Sequence, residues 1–319
     1  MNTTERVIRE QFPFWAKAPV PAASGGADHV IVGCGTSFYL AQIVATAFNL
    51  MGRQAVAVPG AEWARRRRAY KVEDSGVTVI ALSRSGESSE TVQAVEVSRA
   101  AGLKTLAVTC EAESSIARAA ERTILVETHP DEGIVMTSSA SLMLLVGLRL
   151  AGVAVAAERA AAEAAEAAAL LERLDGQLAA ALQGRSHYVY LGAGALHGLA
   201  QEGALKLQEM SLSYAQAFHT MEYRHGPISL VDETTFAVLL YSPDTRDEEA
   251  KVASELRAKG AVVVGFDGPG DVAVAVAADP LVRALVMLPA LQILGERVAA
   301  ARGLDTAAPR HLSKVVVLT

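Results

Sequence analysis

Apolar and polar residues in this chain segregate into blocks rather than alternating singly. Continuous apolar runs such as VTVIAL at 77–82 and VVVGF at 262–266 stand between longer segments of mixed character. Uninterrupted apolar strands are expected where both faces of a parallel sheet are covered, so these runs predict buried strands joined by crossover helices. The blocks also repeat. Residues 29–42 read HVIVGCGTSFYLAQ and residues 188–201 read YVYLGAGALHGLAQ, so that Gly33, Gly35, Ala41 and Gln42 recur as Gly192, Gly194, Ala200 and Gln201, 159 positions on. In the same register VTVIALS, ending at Ser83, is echoed by FAVLLYS, ending at Ser242, and SRAAGLKTLAVT is echoed by LRAKGAVVVGFD with one residue lost. Each copy reads strand, glycine turn, helix, strand, polar turn, helix, strand. The pattern predicts an α/β fold of two tandem doubly wound parallel-sheet domains. Between them, a stretch rich in Ala, Glu, Arg and Leu has the composition of one long helix, closed by Gly184. The expected organisation is an N-terminal arm (1–27), a first domain (28–155), a connecting helix (156–184), a second domain (185–304) and a C-terminal tail (305–319).

Composition removes whole classes of function. With 319 residues, 51% hydrophobic and 20% charged, the chain has the core of a compact two-domain protein and not the profile of a disordered, collagenous or coiled-coil one. A net charge of −6 withdraws the electrostatic term that drives nucleic-acid binding, so no nucleic-acid partner is expected. The one basic run, Arg65 to Arg68, reads as a solvated or interface face. Two cysteines, Cys34 and Cys110, make neither a disulfide framework nor a four-ligand zinc site, which fits a reducing cytoplasm and predicts no metal. Residues 1–10 are polar and predict no secretory leader. The longest apolar stretch, Leu142–Ala157, is interrupted by Arg149 and is shorter than the ~20 residues of a membrane span, so no membrane partner is expected. High aliphatic content with only 5% aromatics predicts a large aliphatic interface and a homodimer or larger assembly.

The strongest candidate for chemistry is Ser83-Arg84-Ser85-Gly86-Glu87-Ser88-Ser89-Glu90-Thr91, between a buried strand and a helix. An ordinary N-cap explains one hydroxyl. Three, at 83, 85 and 88, on the carboxyl edge of a parallel strand, suit a phosphate monoester, which wants short hydroxyl donors and a helix N-terminus. In the second copy the loop becomes Ser242-Pro243-Asp244-Thr245, where proline lacks an N–H and Asp244 repels an anion. Gly33-Cys34-Gly35-Thr36-Ser37 invites a dinucleotide reading, but Phe38 replaces the third glycine and no acidic residue follows at the ribose-binding distance. Its Thr36 and Ser37 hydroxyls suit a sugar or phosphate equally, and no Walker motif occurs. On the first helix of the second copy, Glu202, Lys206 and Glu209 share one face. A surface salt-bridge ladder is the ordinary reading, yet neighbouring Leu205, Leu207 and Met210 leave little polar surface. His225 lies in the turn Arg224-His225-Gly226-Pro227, and Lys314 in the tail precedes a strand-like VVVLT.

Taken together, CGTS at 34–37, SRSGES at 83–88, EGALKLQE at 202–209, RHGP at 224–227 and PRHLSK at 309–314 resemble the sugar isomerase (SIS) domain family. Within it the likeness is to the isomerising half of glucosamine-fructose-6-phosphate aminotransferase and to free-standing phosphosugar isomerases and deaminases. The resemblance implies phosphate binding by Ser37, Ser83, Ser85 and Ser88, with Arg84 at a glutamine position of the family loop. It implies Glu209 as the carboxylate that moves a proton between C1 and C2, Lys206 as an assisting amine, and His225 as the ring-opening acid/base. Lys314 matches a C-terminal lysine that closes over the sugar and can form an imine with it. The histidine of such proteins serves a neighbouring subunit, which implies a homodimer; no cofactor is implied. Asn2 after Met1, where the glutamine-hydrolysing relatives carry a nucleophilic cysteine, predicts no glutaminase chemistry. Met136 to Ser141 is closer to the ketose/aldose isomerases and deaminases than to the aminotransferase. The expected activity is isomerisation or deamination of a hexose or amino-hexose 6-phosphate. A sugar-phosphate sensor is the alternative, but such regulators carry a DNA-binding segment ahead of the first strand.

Overall fold

The apolar runs form strands, and the strands form two sheets of the same design. In the first half, β1 (Asp28–Gly33), β2 (Gln54–Pro59), β3 (Val77–Leu82), β4 (Lys104–Thr109) and β5 (Arg122–Leu125) make a parallel sheet in the order β2-β1-β3-β4-β5. In the second half, β6 (His187–Gly192), β7 (Ala215–His219), β8 (Thr235–Leu240), β9 (Val262–Phe266) and β10 (Val272–Val274) are likewise parallel, in the order β10-β9-β8-β6-β7. Counterpart for counterpart the two orders are identical, as the internal duplication predicts. The central strands β3 and β8 are buried at every position, which is why their sequences show no polar alternation.

The computed structural model describes residues 1–70 and 76–316. It comprises two compact units, one of Pro13–Ala161 with the chain from His311 onward, the other of Met1–Phe12 with Ala162–Arg310. The two ends are thus exchanged between the halves. The arm helix Thr3–Glu10 is tied into the C-terminal-half unit by ion pairs: part-buried ones in which Arg297 meets Glu5 at 2.6 Å and Asp175 at 2.6 Å and Arg9 also reaches Asp175, and an exposed one from Arg9 to Glu172. Asn2, its N-cap, donates to Glu296 at 2.7 Å. The strand-like run expected at 315–319 falls partly on residues 317–319, outside the described residues, and Val315 and Val316 form no strand.

The alanine-rich stretch is a helix of 25 residues, Ala157–Ala181. Ala164, Ala167, Leu171, Leu174 and Leu178 are buried along one face, the helical spacing expected of an amphipathic element. Arg149, which interrupts the apolar stretch of the first half, is not exposed. It closes the buried helix Ser138–Leu150 by donating to the carbonyls of Ala18, Pro19 and Val155, each at 2.7 Å. The longest apolar helix lies elsewhere, at Arg283–Ala301. It is long and apolar enough to cross a membrane, and 83% of its apolar window is buried inside the structure.

Strand pairing corrects the duplication register. Asp28 pairs with Val77 and His187 pairs with Thr235, so β6 follows β1 by 159 residues but β8 follows β3 by 158. The residue lost in the second copy is lost before β8. Ser83 therefore corresponds to Tyr241, and Ser242 to Arg84. Backbone bonding agrees: Ser83 N–H donates to Val108 O and Tyr241 N–H to Phe266 O, both at 3.1 Å, at equivalent points of the ladder. A strand that is apolar on both faces reads the same after a slip of one, so pattern alone does not reveal the shift.

Both copies depend on glycine where the first strand turns into the first helix. A Cβ on Gly33 would lie 2.6 Å from the Ser37 carbonyl oxygen, and one on Gly192 would lie 2.4 Å from that of Leu196. Gly35 and Gly194, the helix N-caps, hold φ of 54° and 53°, where only glycine is at ease. Gly33→Ala is expected to destabilise the chain by roughly 1–3 kcal/mol, read as a lowered denaturation midpoint. A midpoint equal to wild type would show that the strand and helix do not need this approach.

Candidate functional site

In a sheet ordered β2-β1-β3-β4-β5 the chain leaves β1 to one side and β3 to the other, and the crevice between their carboxyl ends is where ligands bind in such folds. The glycine turn after β1 and the serine turn after β3 both open there. A cavity of about 60 Å³ is lined by Cys34, Ser37, Leu82, Ser83, Arg84, Ser85, Ser88, Thr91, Met136 and Lys314. All four serines named from the sequence share it with Lys314, which the exchanged tail carries to this unit. Thr36, also expected here, is buried in the first turn of helix Thr36–Leu50 and does not line the cavity.

The serine turn is braced from within. Gly86 N–H donates to Ser83 Oγ at 3.1 Å and Glu87 N–H to Ser85 Oγ at 3.2 Å. Each hydroxyl oxygen accepts a bond, which orients it and leaves its proton to donate. Ser88 is the N-cap of helix Ser89–Ala100 but makes no side-chain capping bond. Gly86, at φ 65°, passes so close to Ser114 that a Cβ would lie 2.2 Å from its Oγ. Glu87 accepts from Ser115 N–H at 2.8 Å and Ser115 Oγ–H at 2.7 Å, holding the turn against helix Ser115–Ala119.

Arg84 has a bracing role. Its Nη1 and Nη2 donate to the carbonyls of Gly133 and Ile134 at 2.9 and 2.8 Å, fixing the segment that brings Met136 to the cavity wall. Glu132 finishes that segment: one of its carboxylate oxygens accepts from Thr137 N–H at 2.6 Å and Ser139 N–H at 2.9 Å, at the start of helix Ser138–Leu150. Burial, followed by the charge of Glu132, pushes the thiol of Cys110, whose N–H donates to Arg84 O at 3.0 Å, up to about 12, so it stays neutral. Thr91 closes the candidate stretch but was given no binding role, and Met136 was not anticipated as a lining residue. Thr91 could have been, since it lies one helical turn beyond Ser88; Met136 belongs to a loop whose path no periodicity predicts.

In the C-terminal-half unit, the surface-ladder reading of Glu202, Lys206 and Glu209 is overturned. On helix Ala195–Ser211, Glu202 and Lys206 have no exposed side-chain area, and Glu209 retains 20%. Lys206 Nζ bonds Glu209 Oε2 and lies 3.6 Å from Glu202 Oε1. Two carboxylates around one buried ammonium are costly to desolvate, a combination maintained at sites more often than for stability. His225 is exposed and lines a different cavity, about 370 Å³, with Arg224, Ile228, Glu255 and Lys259, to which neither Lys206 nor Glu209 contributes. Among the described residues, no cluster of three or more His, Cys, Asp or Glu is arranged to hold a metal ion.

Sequence reasoning passed over a histidine pair. His197, in the first turn of the same helix, stacks on His219 at the end of β7, with ring centroids 3.7 Å apart. Burial, then the neighbouring His219, pushes His197 down to about 4. The unfolded chain, titrating near 6.5, takes the proton first, so stability present above that pH is lost as pH falls toward 4. His197→Phe, which installs the residue found at Phe38 in the first copy, is expected to flatten the fall in melting temperature over that window. An unchanged slope would remove His197 from the account.

Comparison with known proteins places this geometry. The SIS domain profile matches residues 28–151 and 181–288. The glutamine–fructose-6-phosphate aminotransferase (isomerizing) of Caulobacter vibrioides is 32% identical over 316 residues, covering 90% of this chain and 52% of that protein. That of Pyrobaculum aerophilum is 31% identical over 312 residues, covering 90% and 51%. The chain thus spans about half the length of these curated relatives. Among solved structures, glucosamine-6-phosphate deaminase from Thermotoga maritima superposes with a TM-score of 0.88 at 27% identity, covering 99% of this chain and all of that one. Tagatose-6-phosphate ketose/aldose isomerase from Escherichia coli, at TM-score 0.84 and 23% identity over 99% and 96%, shares the fold.

Proposed function

The chain belongs to the SIS domain family, and we propose that within it the protein is a phosphosugar isomerase or deaminase acting on a hexose or amino-hexose 6-phosphate. The observation that carries the reading is the cavity at the β1/β3 switch point, where four serines and Lys314 converge. Hydroxyl protons, helix N-termini and an ammonium are the groups that suit a phosphate dianion. The likeness to a deaminase at 27% identity favours release of ammonia from glucosamine 6-phosphate as the form of the reaction.

The chemistry then assigns the remaining groups. A hexose phosphate is mostly closed, and His225 is the side chain suited to shuttling the ring-opening proton near neutrality. We assign it to the site of a second copy, which its separate, exposed setting supports. Glu209 takes the proton from C2 of the open-chain sugar and returns it to C1, the electron pair passing through an enolic intermediate. A glutamate plays the same part in triosephosphate isomerase. With an amino group at C2 the product is an imine, and water converts it to ketose phosphate and ammonia. Lys206 holds Glu209 in place. Lys314 can pair with the phosphate or, as a free amine, condense with the sugar carbonyl, water leaving.

Glu209→Gln should lower kcat at least ~100-fold with KM within a few fold, since it deletes the base and keeps the shape. Ammonia release measured alongside ketose formation from glucosamine 6-phosphate separates deamination from plain isomerisation. Binding without turnover in the wild type would favour a sensor. Ser83→Ala with Ser85→Ala should raise KM about tenfold or more through two lost bonds to a charged group. An unmoved KM would dismiss the serine cradle.

A further inference from the structure

The corrected register gives Thr91, in the wall of the 60 Å³ cavity, a counterpart 158 residues on: Glu249. Both are buried, each at 1% exposure. What the first half lines with a hydroxyl, the second fills with a carboxylate. Glu249 Oε2 accepts Ser242 N–H at 2.8 Å, from the turn that corresponds to the serine turn, and Oε1 accepts Thr220 Oγ1–H at 3.3 Å. Burial raises the Glu249 carboxyl while the Ser242 and Thr220 bonds pull it back.

Thr220 is the point where the chain leaves β7 toward His225. From there the segment is pinned to helix Arg246–Ala258 at successive turns. Tyr223, fully buried, packs among Val252, Ala253 and Leu256. Arg224 makes a two-bond pair with Glu255, Nε to Oε2 at 3.0 Å and Nη2 to Oε1 at 2.8 Å. His225 N–H donates to Glu222 O at 3.0 Å. Of these anchors, Glu249 is the one whose counterpart, Thr91, lines the cavity of the other half.

We infer that Glu249 is a positioning residue: its carboxylate supplies, from within the chain, the anion that the first half takes from solution, and its bonds join the Ser242 turn to the segment presenting His225. The inference rests on the phosphosugar reading above, its anion part on the phosphate cradle and its catalytic part on the role of His225. Where the first unit was left open for a phosphate ester, the second was closed by a side chain and given over to holding a histidine.

The test is chemical rescue. Glu249→Ala should melt ~2–4 °C or more below wild type, and trypsin should cut after Arg224 about tenfold faster as the segment loosens. Formate at about 100 mM, which fits the space vacated by the carboxylate, should recover at least half of both changes while leaving wild type unmoved. With a competent sugar phosphate, kcat should fall ~10–100-fold and KM stay within twofold, because the phosphate cradle lies in the other unit's sequence, and formate should restore part of kcat. If formate leaves melting and trypsin cleavage of the variant unchanged, the carboxylate is not standing in for an anion and the inference fails, whatever the enzyme assay reads. If formate rescues melting and cleavage but kcat never departed from wild type, the positioning role fails. Should Glu249→Ala not accumulate folded, Glu249→Gln is read in the same kinetic assay: a lowered kcat at unchanged KM supports the role, and a wild-type kcat overturns it.

Discussion

The close approach of the first helix to the first strand in each half is the constraint from which the rest follows. Gly33 and Gly192 allow helix backbone to sit where a side chain would otherwise be, and the positive φ of Gly35 and Gly194 turns the chain into that position. The consequence is positional. Helix Thr36–Leu50 presents Ser37 to the crevice beside β1, and helix Ala195–Ser211 carries Glu202, Lys206 and Glu209 inward. A helix set back by one side-chain thickness would place neither group where it is.

Duplicated frames of this kind diverge at their turns, because the turns are where changes leave the core intact. In the first half, the chain after β3 bends through Gly86 and offers hydroxyls. In the second, Ser83 has become Tyr241, whose hydroxyl donates to Pro269 O at 2.8 Å, and Thr91 has become Glu249. Each replacement makes its bonds inside the protein, where the other half keeps a hydroxyl in the cavity wall. Pro243 and Asp244 signal the loss in the sequence; the side chains that take up the space do not, since nothing in a one-dimensional pattern tells a buried carboxylate from a surface one.

This marks the limit of what was legible before the structure. Parallel sheets, their duplication, the long helix and the serine turn were readable because they are written in apolar runs, glycine spacing and clustered hydroxyls, features governed by local chemistry. The one-residue slip at β8 was not, because an all-apolar strand carries no face marker. Arg84 lines the cavity as its place in the loop suggests, and no pattern in the sequence marks the path that takes its Nη atoms to Gly133 and Ile134. Burial of Lys206 was hinted at by its apolar neighbours but was a matter of tertiary packing, and the exchange of the chain ends between the halves depends on contacts far apart in sequence.

Charge balance bears on the two carboxylates beside Lys206. Of these two carboxylates and one ammonium, two are fully withdrawn from water, in a medium that solvates charge poorly. Remove the ammonium and two like charges remain buried together, a change that costs the fold as well as any activity. Replace the outer carboxylate by its amide and a neutral pair is left, which the same interior holds more easily. In the proposed reaction the proton arrives on Glu209, the member that retains contact with the exterior, while Glu202 stays 3.6 Å from the ammonium. On this reading the second carboxylate is no redundancy, because it keeps an opposite charge beside the buried ammonium while Glu209 holds the proton.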